Sequence, residues 1–312
     1  MRFLVTAIGS IAADAVITSL RKHFPGSKII GTDIHPKEWL YLSGKVDAFF
    51  TIPRATNPKF ITSLNKILDQ QNIDLILPLT DPEVDVLSKN RSQLKNDSTI
   101  LTLPDDDVVK KCRDKKDFVR SLKEIKEINL IESISKEKLQ NKDFSFPIVA
   151  KPKKGRSSKG LRYIWSEVEL SVLDDDYIIQ PFVKGDVITV DVVRDGPGNF
   201  ACLSRRELIR SSNGAGLSVE VFQDNKIEKL ISRIVEKLNI TGCMNIEFIE
   251  SHGLYYLMDI NPRFSAGVGF SILAGYDFIL NHIRVYTGKK ILQINRIENI
   301  IAAKRYTDCV IV

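Results

Sequence analysis

Short apolar runs alternate with helix-like stretches over the first hundred residues. The apolar runs cover residues 3–7, 28–32, 48–52, 74–79 and 99–103, and each is closed by a polar residue, glycine or proline. Between them, residues 13–24, 60–70 and 82–94 have a helical pattern, with apolar side chains on one face over 60–70. Continuous apolar strands that alternate with helices predict a parallel α/β sheet with helices packed on it.

The pattern changes after Pro104. Charged helical sequence and a linker region fill residues 104–146, and short strands then follow one another. These strands are predicted at residues 148–151, 161–164, 177–182, 187–194, 200–206, 244–249 and 255–260. Helices are predicted at 226–238 and 272–287, and Asp195-Gly196-Pro197-Gly198 is a strong turn. This half therefore predicts an α+β fold with an antiparallel sheet.

Composition narrows the class of protein. Apolar residues make up 43 % and charged residues 27 %, as in ordinary globular proteins. The net charge of +6 is spread along the chain with no arginine-rich arm, so we expect anionic small substrates and no nucleic acid. No window is apolar enough for a membrane helix, so we expect no membrane partner. The four cysteines lie far apart, which argues against zinc and disulfides and fits a cytoplasmic protein.

The first residues allow two interpretations. Residues 3–11 are apolar and precede Ala-Ala, as in a signal peptide. Asp14 and the amphipathic run after it favour a first strand followed by a turn and a helix. In that turn, Gly9 and Ser10 could hold an anion at a helix N-terminus, but a plain tight turn explains them equally well.

A loop of lysine, glycine and serine covers residues 151–160, Lys-Pro-Lys-Lys-Gly-Arg-Ser-Ser-Lys-Gly. Its backbone N–H groups, hydroxyls and cations together suit a polyphosphate, although the spacing is not that of a P-loop. A solvated hairpin loop is the alternative. Further on, the apolar strand 177–183 is broken by Pro181, which leaves backbone groups that could bind an adenine edge. An edge strand is the alternative there.

A cluster of oxygen ligands follows near the end of the chain. Glu247, Asp259 and Asn261 lie on two strands joined by a turn, and residues two apart share a strand face. Carboxylate and amide oxygens suit Mg²⁺ that also binds phosphate, and Arg263 just beyond could hold a carboxylate or a phosphoryl group. A solvated strand face is the alternative for each acidic residue. The arginines at 205, 206 and 210 form either a surface patch or an anion clamp.

These pieces, in this order, resemble the ATP-grasp superfamily, in its branch related to the carbamoyl-phosphate synthase large chain and biotin carboxylase. The resemblance covers nearly the whole chain, and the Glu…Asp-x-Asn-Pro-Arg sequence is its most specific part. It implies an N-terminal Rossmann-like parallel α/β domain over residues 1–104, followed by a two-lobed ATP-grasp domain. The lid lobe with its linker helices is expected over 105–183 and the C-terminal lobe with the metal site over 184–312.

The resemblance also implies functional residues. It implies Mg²⁺, as two ions for which Mn²⁺ can substitute, on Glu247, Asp259 and Asn261. It implies that Arg206, Arg210 and Arg263 stabilise the transferring phosphoryl group. The residues that it implies for ATP are Lys115, Lys151, Gly155, Ser157, Ser158, Gly160, Gln180, Phe182, Val183 and Asp186.

The activity implied is that of an ATP-dependent carboxylate–amine ligase that forms an acyl phosphate and releases ADP and phosphate. Small-molecule carboxylates and amines are the expected substrates, and homodimers are frequent among such proteins. The family usually has a glutamate where Pro181 stands, a carboxylate where Val187 stands, and a longer second metal carboxylate than Asp259. Two alternatives therefore stay open: an enzyme that phosphorylates bicarbonate or carbamate, and a nucleotide sensor without catalysis.

Overall fold

The computed structural model describes residues 1–95, 98–139, 145–152, 160–174, 176–212 and 214–311, with the backbone alone at residues 115, 116, 137 and 138. Across these residues three sheets are present, and each has its own strand order. No helix within this part of the chain is long and apolar enough to cross a membrane.

The N-terminal sheet is parallel, as the alternating pattern predicts. Its order is β3-β2-β1-β4-β5, so the chain reverses its direction of winding between β1 and β4. Its strands are β1 (Arg2–Val5), β2 (Lys28–Asp33), β3 (Ala48–Thr51), β4 (Leu75–Leu77) and β5 (Ile100–Leu101). Helices α1 (Ala13–His23), α2 (Phe60–Gln71) and α3 (Asp81–Lys89) connect them. In open parallel sheets, ligands bind at such a reversal point, beyond the carboxyl ends of the strands.

The lid is a small antiparallel sheet with the order β7-β10-β8-β9. Its strands are β7 (Ile134–Ser135), β8 (Ile148–Pro152), β9 (Arg162–Ile164) and β10 (Tyr177–Pro181), and its helices are α6 (Lys136–Leu139) and α7 (Glu167–Ser171). Helices α4 (Asp106–Arg113) and α5 (Lys115–Leu122) precede it but pack on the large sheet described next. The domain limits given above remain a prediction.

The large sheet is mostly antiparallel and has the order β16-β13-β12-β11-β14-β15-β6. Its strands are β6 (Asn129–Leu130), β11 (Asp186–Gly196), β12 (Asn199–Arg210), β13 (Gly216–Phe222), β14 (Gly242–Ser251), β15 (Leu254–Asn261) and β16 (Ile300–Ala303). The helices around it are α8 (Asn225–Lys237), α9 (Val268–Leu273) and α10 (Phe278–Tyr286). The sequence pattern did not predict β13 or β16, and the predicted helix 272–287 is interrupted at Gly275, whose φ of 110° no helix tolerates.

The two faces of the large sheet belong to different cores. One face packs against α4, α5 and α8 through apolar residues such as Ile188, Ile246 and Phe248. The opposite face, through Leu203 and Val219 among others, shares its core with α1, α9 and α10. Because one continuous core contains both α1 and the large sheet, the N-terminal sheet is held against the large sheet by buried apolar contact.

Helix α8 offers a direct test of the core on the first face. Ile231 is fully buried there, so Ile231→Ala should lower the free energy of unfolding by about 2–5 kcal/mol through lost burial and a residual cavity. Lys229→Ala, on the exposed side of the same helix, is the matched control and should change it by less than about 0.5 kcal/mol. Urea denaturation followed by circular dichroism measures both. An equal effect of the two substitutions would contradict this packing.

Candidate active site

A cavity of ≈ 960 Å³ lies where the three sheets meet. Gly9–Ala12 and Asp81 line it from the carboxyl ends of β1 and β4, which is the reversal point of the N-terminal sheet. The lid contributes Lys151 and Gln180, and the cavity-facing side of the large sheet forms the floor. A concave site of this size, with charged groups converging from several elements, is what a small-molecule enzyme requires.

The proposed metal ligands lie together on the floor. Glu247 of β14 is directly opposite Asp259 of β15, Asn261 is opposite Asn245, and all four side chains line the cavity. The register shifts between Glu247 and Phe248, which leaves Met258 as an extra residue on β15. This bulge allows Leu257 and Ile260 to enter the core while Asp259 and Asn261 face the cavity. The expected shared face is therefore confirmed.

The electrostatics of this strip favour a cation. Burial raises the pKa of Glu247, the neighbouring Asp259 raises it further, and Arg210 acts in the opposite direction. The Nη2 of Arg210 lies 3.4 Å from Oε2 of Glu247. Two carboxylates held face to face repel each other unless a cation lies between them. Among the described residues no group of three or more His, Cys, Asp or Glu forms a metal cluster, so a bound ion would need ligands from elsewhere, such as phosphate.

Amide hydrogen bonds hold the end of β15 in place. Nδ2 of Asn261 donates to Oδ1 of Asn245 over 3.2 Å, and Nδ2 of Asn245 donates to the backbone oxygen of Arg263 over 3.1 Å. Asn245 and Asn261 are both buried. Their paired amides fix the direction in which the chain leaves the strand towards Arg263.

Arg263 reaches across to the N-terminal domain. Its Nε and Nη2 both donate to the carboxylate of Asp81, the latter over 2.9 Å, in a two-pronged ion pair. Arg113 donates to the same carboxylate over 2.7 Å and to Asp85 over 2.7 Å. Burial opposes ionisation of Asp81, but Arg263 and Arg113 outweigh it and hold the pKa of this carboxyl well below its usual range. Arg263 thus lines the cavity with its guanidinium already fixed.

Arg206 and Asp186 are predicted site residues that do not face the cavity. Arg206 points to the opposite face of β12, where it pairs with Asp186, with Glu250 at 2.9 Å and with Glu220 at 3.3 Å. Its guanidinium also lies over the ring of Phe222. The predicted roles of Arg206 and Asp186 in catalysis and ATP binding are therefore corrected, because strand alternation turns both away from the cavity.

Arg205 and Glu207 take the cavity-facing positions of β12 instead. In a regular strand Arg210 would face the same side as Arg206, four residues before it. It lines the cavity instead, because register shifts between Glu207 and Arg210 reverse the alternation of side chains. Its Nε and Nη2 donate to the backbone oxygen of Gly214 over 3.0 and 2.8 Å, which ties it to the hairpin loop. A pattern of strict alternation in the sequence could not reveal these shifts.

A buried ion pair lies beneath the floor. Arg205 is fully buried, and its Nη1 donates to Asp191 and, over 3.1 Å, to Ser271. Its Nη2 donates to Ser265 over 2.9 Å. Oδ1 of Asp191 and Nε of Arg205 are buried without hydrogen-bond partners. Sequence reasoning did not identify Asp191; an acidic residue inside the apolar run 187–193 was the available signal.

The side facing the lid contains four of the expected ATP residues, Lys151, Gln180, Phe182 and Val183. Lys151 is the second-last residue of β8 and lines the cavity. Phe182 and Val183, which follow β10 outside any strand pairing, line it too. Gln180 lines it too, but its Nε2 donates to Oγ of Ser133 over 2.8 Å and so fastens the lid.

The other expected ATP residues have different positions. Gly160 packs beside Pro152, where a Cβ would come within 2.8 Å of the ring. Lys115 begins α5, and its side chain lies outside the described atoms, as do residues Gly155, Ser157 and Ser158.

The turn after β1 is occupied by an internal contact. The backbone N–H of Gly9 donates to Oδ2 of Asp33 over 2.8 Å. A carboxylate of the protein thus uses the donor that an anion would need, which supports the tight-turn interpretation of this segment. Ser10 still lines the cavity beside it.

Comparison with known proteins agrees with this architecture. Residues 174–309 match the family model described as "ATP-grasp in the biosynthetic pathway with Ter operon", and residues 3–102 match "PylC-like, N-terminal domain". The fold is shared with biotin carboxylase from Campylobacter jejuni, with a TM-score of 0.76 and 15 % identity over 95 % of this chain and 73 % of that one. It is also shared with N5-carboxyaminoimidazole ribonucleotide synthetase from Thermotoga maritima, with a TM-score of 0.70 and 18 % identity over 95 % of this chain and 78 % of that one. Residues 174–309 are thus similar to an ATP-grasp family, and the chain shares its fold with these two solved structures.

Two curated relatives are similar over part of their length. The 3-methyl-D-ornithine–L-lysine ligase of Methanosarcina acetivorans is 25 % identical over 251 residues, which cover 76 % of this chain and 66 % of the ligase. The carbamoyl phosphate synthase large chain of Agathobacter rectalis is 22 % identical over 48 % of this chain and 16 % of the synthase. The chain thus spans just under two thirds of the first relative and a small part of the second.

The Asp81 ion pairs yield a prediction about stability. Asp81→Asn leaves Arg263 and Arg113 without the carboxylate that both contact, so it should lower the free energy of unfolding by about 3–5 kcal/mol at pH 7. Asp85→Asn is the control. Of the two arginines it affects only Arg113, so it should lower the free energy of unfolding by less.

The same variant has an expected pH dependence. A carboxyl whose folded pKa is lowered contributes its full stability above its unfolded pKa of about 3.9 and loses it as the pH falls towards the folded value. The difference between wild type and Asp81→Asn should therefore be constant from pH 5 to 8 and shrink below pH 4. Urea titrations across this range measure it, and a difference that grows on acidification would contradict the assignment.

Proposed function

We propose that this chain is an ATP-dependent ligase that activates a substrate carboxylate as an acyl phosphate and transfers the acyl group to an amine, releasing ADP and phosphate. The observation that carries the proposal is the strip of Glu247, Asp259 and Asn261, which faces a cavity that Arg210, Arg263 and Lys151 also line. Acidic metal ligands among fixed cations suit phosphoryl transfer.

Residues on different sides of the cavity would contact different parts of ATP. Lys151, together with Lys115 and the loop of Gly155, Ser157, Ser158 and Gly160, would hold the ATP phosphates from the lid side. Phe182 and Val183 would supply backbone groups to the adenine. Arg210 and Arg263 would meet the negative charge that develops on the transferring phosphoryl group, and both are already oriented by hydrogen bonds, so little reorganisation is needed.

Mg²⁺ fits the strip on the chemistry of its donors. Glu247 and Asp259 are hard oxygen ligands whose charges lie opposite each other, and Asn261 adds an amide oxygen. When bound, Mg²⁺ would neutralise charge on the phosphates and polarise the phosphorus–oxygen bond. We propose two ions, as in the family resemblance, with Mn²⁺ as a possible substitute. The chain itself would position the substrates and keep water from the acyl phosphate.

Named relatives support this class of reaction. One is a 3-methyl-D-ornithine–L-lysine ligase, and a structural neighbour, a 2-oxoglutarate carboxylase domain from Hydrogenobacter thermophilus, was crystallised with MgADP and bicarbonate. Because that neighbour was crystallised with bicarbonate, bicarbonate stays an alternative to an organic acid as the substrate that is phosphorylated. Pro181 and Val187 line the cavity where the family usually has carboxylates, which is the observation in favour of a nucleotide sensor. A cytoplasmic homodimer that uses small carboxylates and amines is our further expectation.

The metal strip should be essential for turnover. Glu247→Ala removes a proposed Mg²⁺ ligand and should lower ATP turnover by at least about 100-fold. Glu220→Gln, on the opposite face of the sheet, is the control and should leave turnover near the wild-type rate. ADP release with Mg²⁺, ATP and pools of carboxylic acids and amines measures both. Full activity of Glu247→Ala would remove the metal assignment.

Substitution of Arg210 and of Arg206 should affect kcat differently, because the two side chains lie on opposite faces of the sheet. Arg210→Ala should lower kcat by about 100-fold, because it removes a cation from the cavity. Arg206→Ala should keep kcat within about threefold, because its partners lie on the other face. The same ADP assay measures both, and equal losses would contradict the strand orientation described above.

The identity of the reaction follows from the products. ADP release that depends on one acid and one amine supports the ligase, and mass spectrometry of the mixture identifies the amide. ADP release with bicarbonate and no organic acid supports the bicarbonate alternative. AMP release would contradict an acyl phosphate, and nucleotide binding without any turnover would favour the sensor.

A further inference from the structure

A second cavity, of ≈ 430 Å³, lies beside β5, the last strand of the N-terminal sheet, and is called the edge cavity below. Among the described residues, it shares no lining residue with the active-site cavity, so it is a separate place on the molecule. One wall belongs to the N-terminal domain and the other to the beginning of β14 and the end of α10. Residues that matter to its chemistry are Arg91, Ile100, Leu101, Asp105, Thr241 and Tyr286.

Arg91 is held in a fixed orientation on the N-terminal wall. Its Nη2 donates to the backbone oxygens of Leu103 over 3.2 Å and of Pro104 over 2.8 Å. Within the described part of the chain it forms no ion pair, and its Nε and Nη1 have no acceptor. The nearby carboxylate of Asp106 is paired with Lys110 instead. A guanidinium that two carbonyls orient, and whose other donors are open, is preorganised to bind an oxyanion.

A backbone donor lies on the same wall. The N–H groups of Ile100 and Thr102 donate to β4 over 2.8 and 3.1 Å, so the N–H of Leu101 between them points away from the sheet. Leu101 is 5 % exposed and lines the edge cavity. Its N–H has no acceptor among the residues that the structure describes. Because a buried N–H without an acceptor costs free energy, it indicates a ligand that supplies an oxygen.

The other lining residues limit the charge and shape of a ligand. Asp105 is exposed, and its side chain does not cap α4, which it precedes. Burial raises the pKa of Tyr286, Arg91 opposes this and Asp105 adds to it, so both charges lie near the tyrosine. The ring of Tyr286 is fixed, since a Cβ on Gly242 would come within 2.5 Å of it. Arg91 therefore attracts one negative charge, Asp105 repels a second, and Ile100 and Tyr286 offer apolar surface.

We propose that the edge cavity binds a small organic acid with one carboxylate and an apolar body. Arg91 and the N–H of Leu101 hold the carboxylate, Ile100 and the ring of Tyr286 cover the apolar body, and Asp105 excludes phosphates and other dianions. The bound acid contacts the N-terminal domain and α10 together. This site does not depend on the proposed ligase reaction, because none of its residues belongs to the active-site cavity.

Matched probes test the charge that the site selects. Benzoate, phenylacetate and hexanoate carry one carboxylate, their amides carry no charge, and phenyl phosphate carries a second negative charge. Dissociation constants are measured by ligand-observed NMR with and without MgATP, and crystals soaked with the tightest carboxylate show where it lies. MgATP occupies the active-site cavity in the proposed reaction, so it separates binding there from binding in the edge cavity.

Variants separate the roles of the charged residues. Arg91→Gln removes the cation, and Thr241→Asp leaves Arg91 intact but adds a negative charge on the exposed opposite wall. Asp105→Asn removes the charge that excludes dianions. Lys95→Gln is the matched control, because Lys95 is an exposed cation near Arg91 in the sequence that does not line the edge cavity. Arg210→Ala reports on binding in the active-site cavity.

The site predicts a specific pattern. At least one carboxylate binds the wild type with a Kd of about 1 mM or tighter, with or without MgATP, and lies beside Arg91 in the crystal. Its amide and phenyl phosphate bind at least about tenfold more weakly. Arg91→Gln and Thr241→Asp each weaken carboxylate binding by at least about tenfold, the loss of a charged hydrogen bond, and Asp105→Asn strengthens binding of phenyl phosphate. Lys95→Gln and Arg210→Ala bind like the wild type.

Other results overturn the site. Absence of binding by all three carboxylates does so, as does equal binding of a carboxylate and its amide. Binding that is lost with MgATP or in Arg210→Ala, but kept in Arg91→Gln, places the acid in the active-site cavity. A loss in Arg91→Gln with Thr241→Asp like the wild type makes Arg91 a support for the 103–104 backbone and no more. ADP release is not a readout here, so failure of the ligase proposal and failure of this site are distinguishable.

Discussion

The ion pair between Asp81 and Arg263 joins the two ends of the active-site cavity. Asp81 is the first residue of α3, directly beyond β4 at the reversal point of the N-terminal sheet, and Arg263 follows the metal strip by two residues. A helix N-terminus favours the negative charge of Asp81, and Arg113 adds a second cation. Because the pair is buried and two-pronged, separating the two domains would leave unpaired charges, which costs far more than an exposed pair would. This contact holds the reversal point of the N-terminal sheet beside the strip of Glu247, Asp259 and Asn261.

The orientation of the floor depends on a few irregular residues in the large sheet. A regular strand would place Asp259 and Leu257 on the same face, so either a metal ligand would enter the core or a leucine would face the cavity. The extra residue Met258 resolves this conflict. A similar shift near the end of β12 allows both Glu207 and Arg210 to face the cavity although they are three residues apart. Bulges next to an active site commonly redirect side chains in this way, and here they determine which charges meet.

Periodicity in the sequence predicted the parallel N-terminal sheet and the cluster of Glu247, Asp259 and Asn261, because both depend on local patterns that the strands preserve. The pattern could not place Arg206, since β12 carries arginines on both faces and only the register with β11 and β13 decides which of them enters the cavity. Strands β13 and β16 were missed for a related reason. β16 lies at the sheet edge, is half exposed, and is held by pairing with β13 far away in the sequence.

The cavity contains more charged groups than those proposed to bind ATP and its metal ion. In the proposed reaction Lys151, Arg210 and the paired Arg263 would meet phosphate, and the strip of Glu247, Asp259 and Asn261 would hold a divalent cation. Glu207 adds a negative charge to the cavity, and this charge acts on Lys304, where it opposes the lowering of the lysine pKa by burial. The deep pair of Arg205 and Asp191 is nearly neutral, so it does not cancel that charge, and Gly216 leaves just enough room for the carboxylate to lie against the strand.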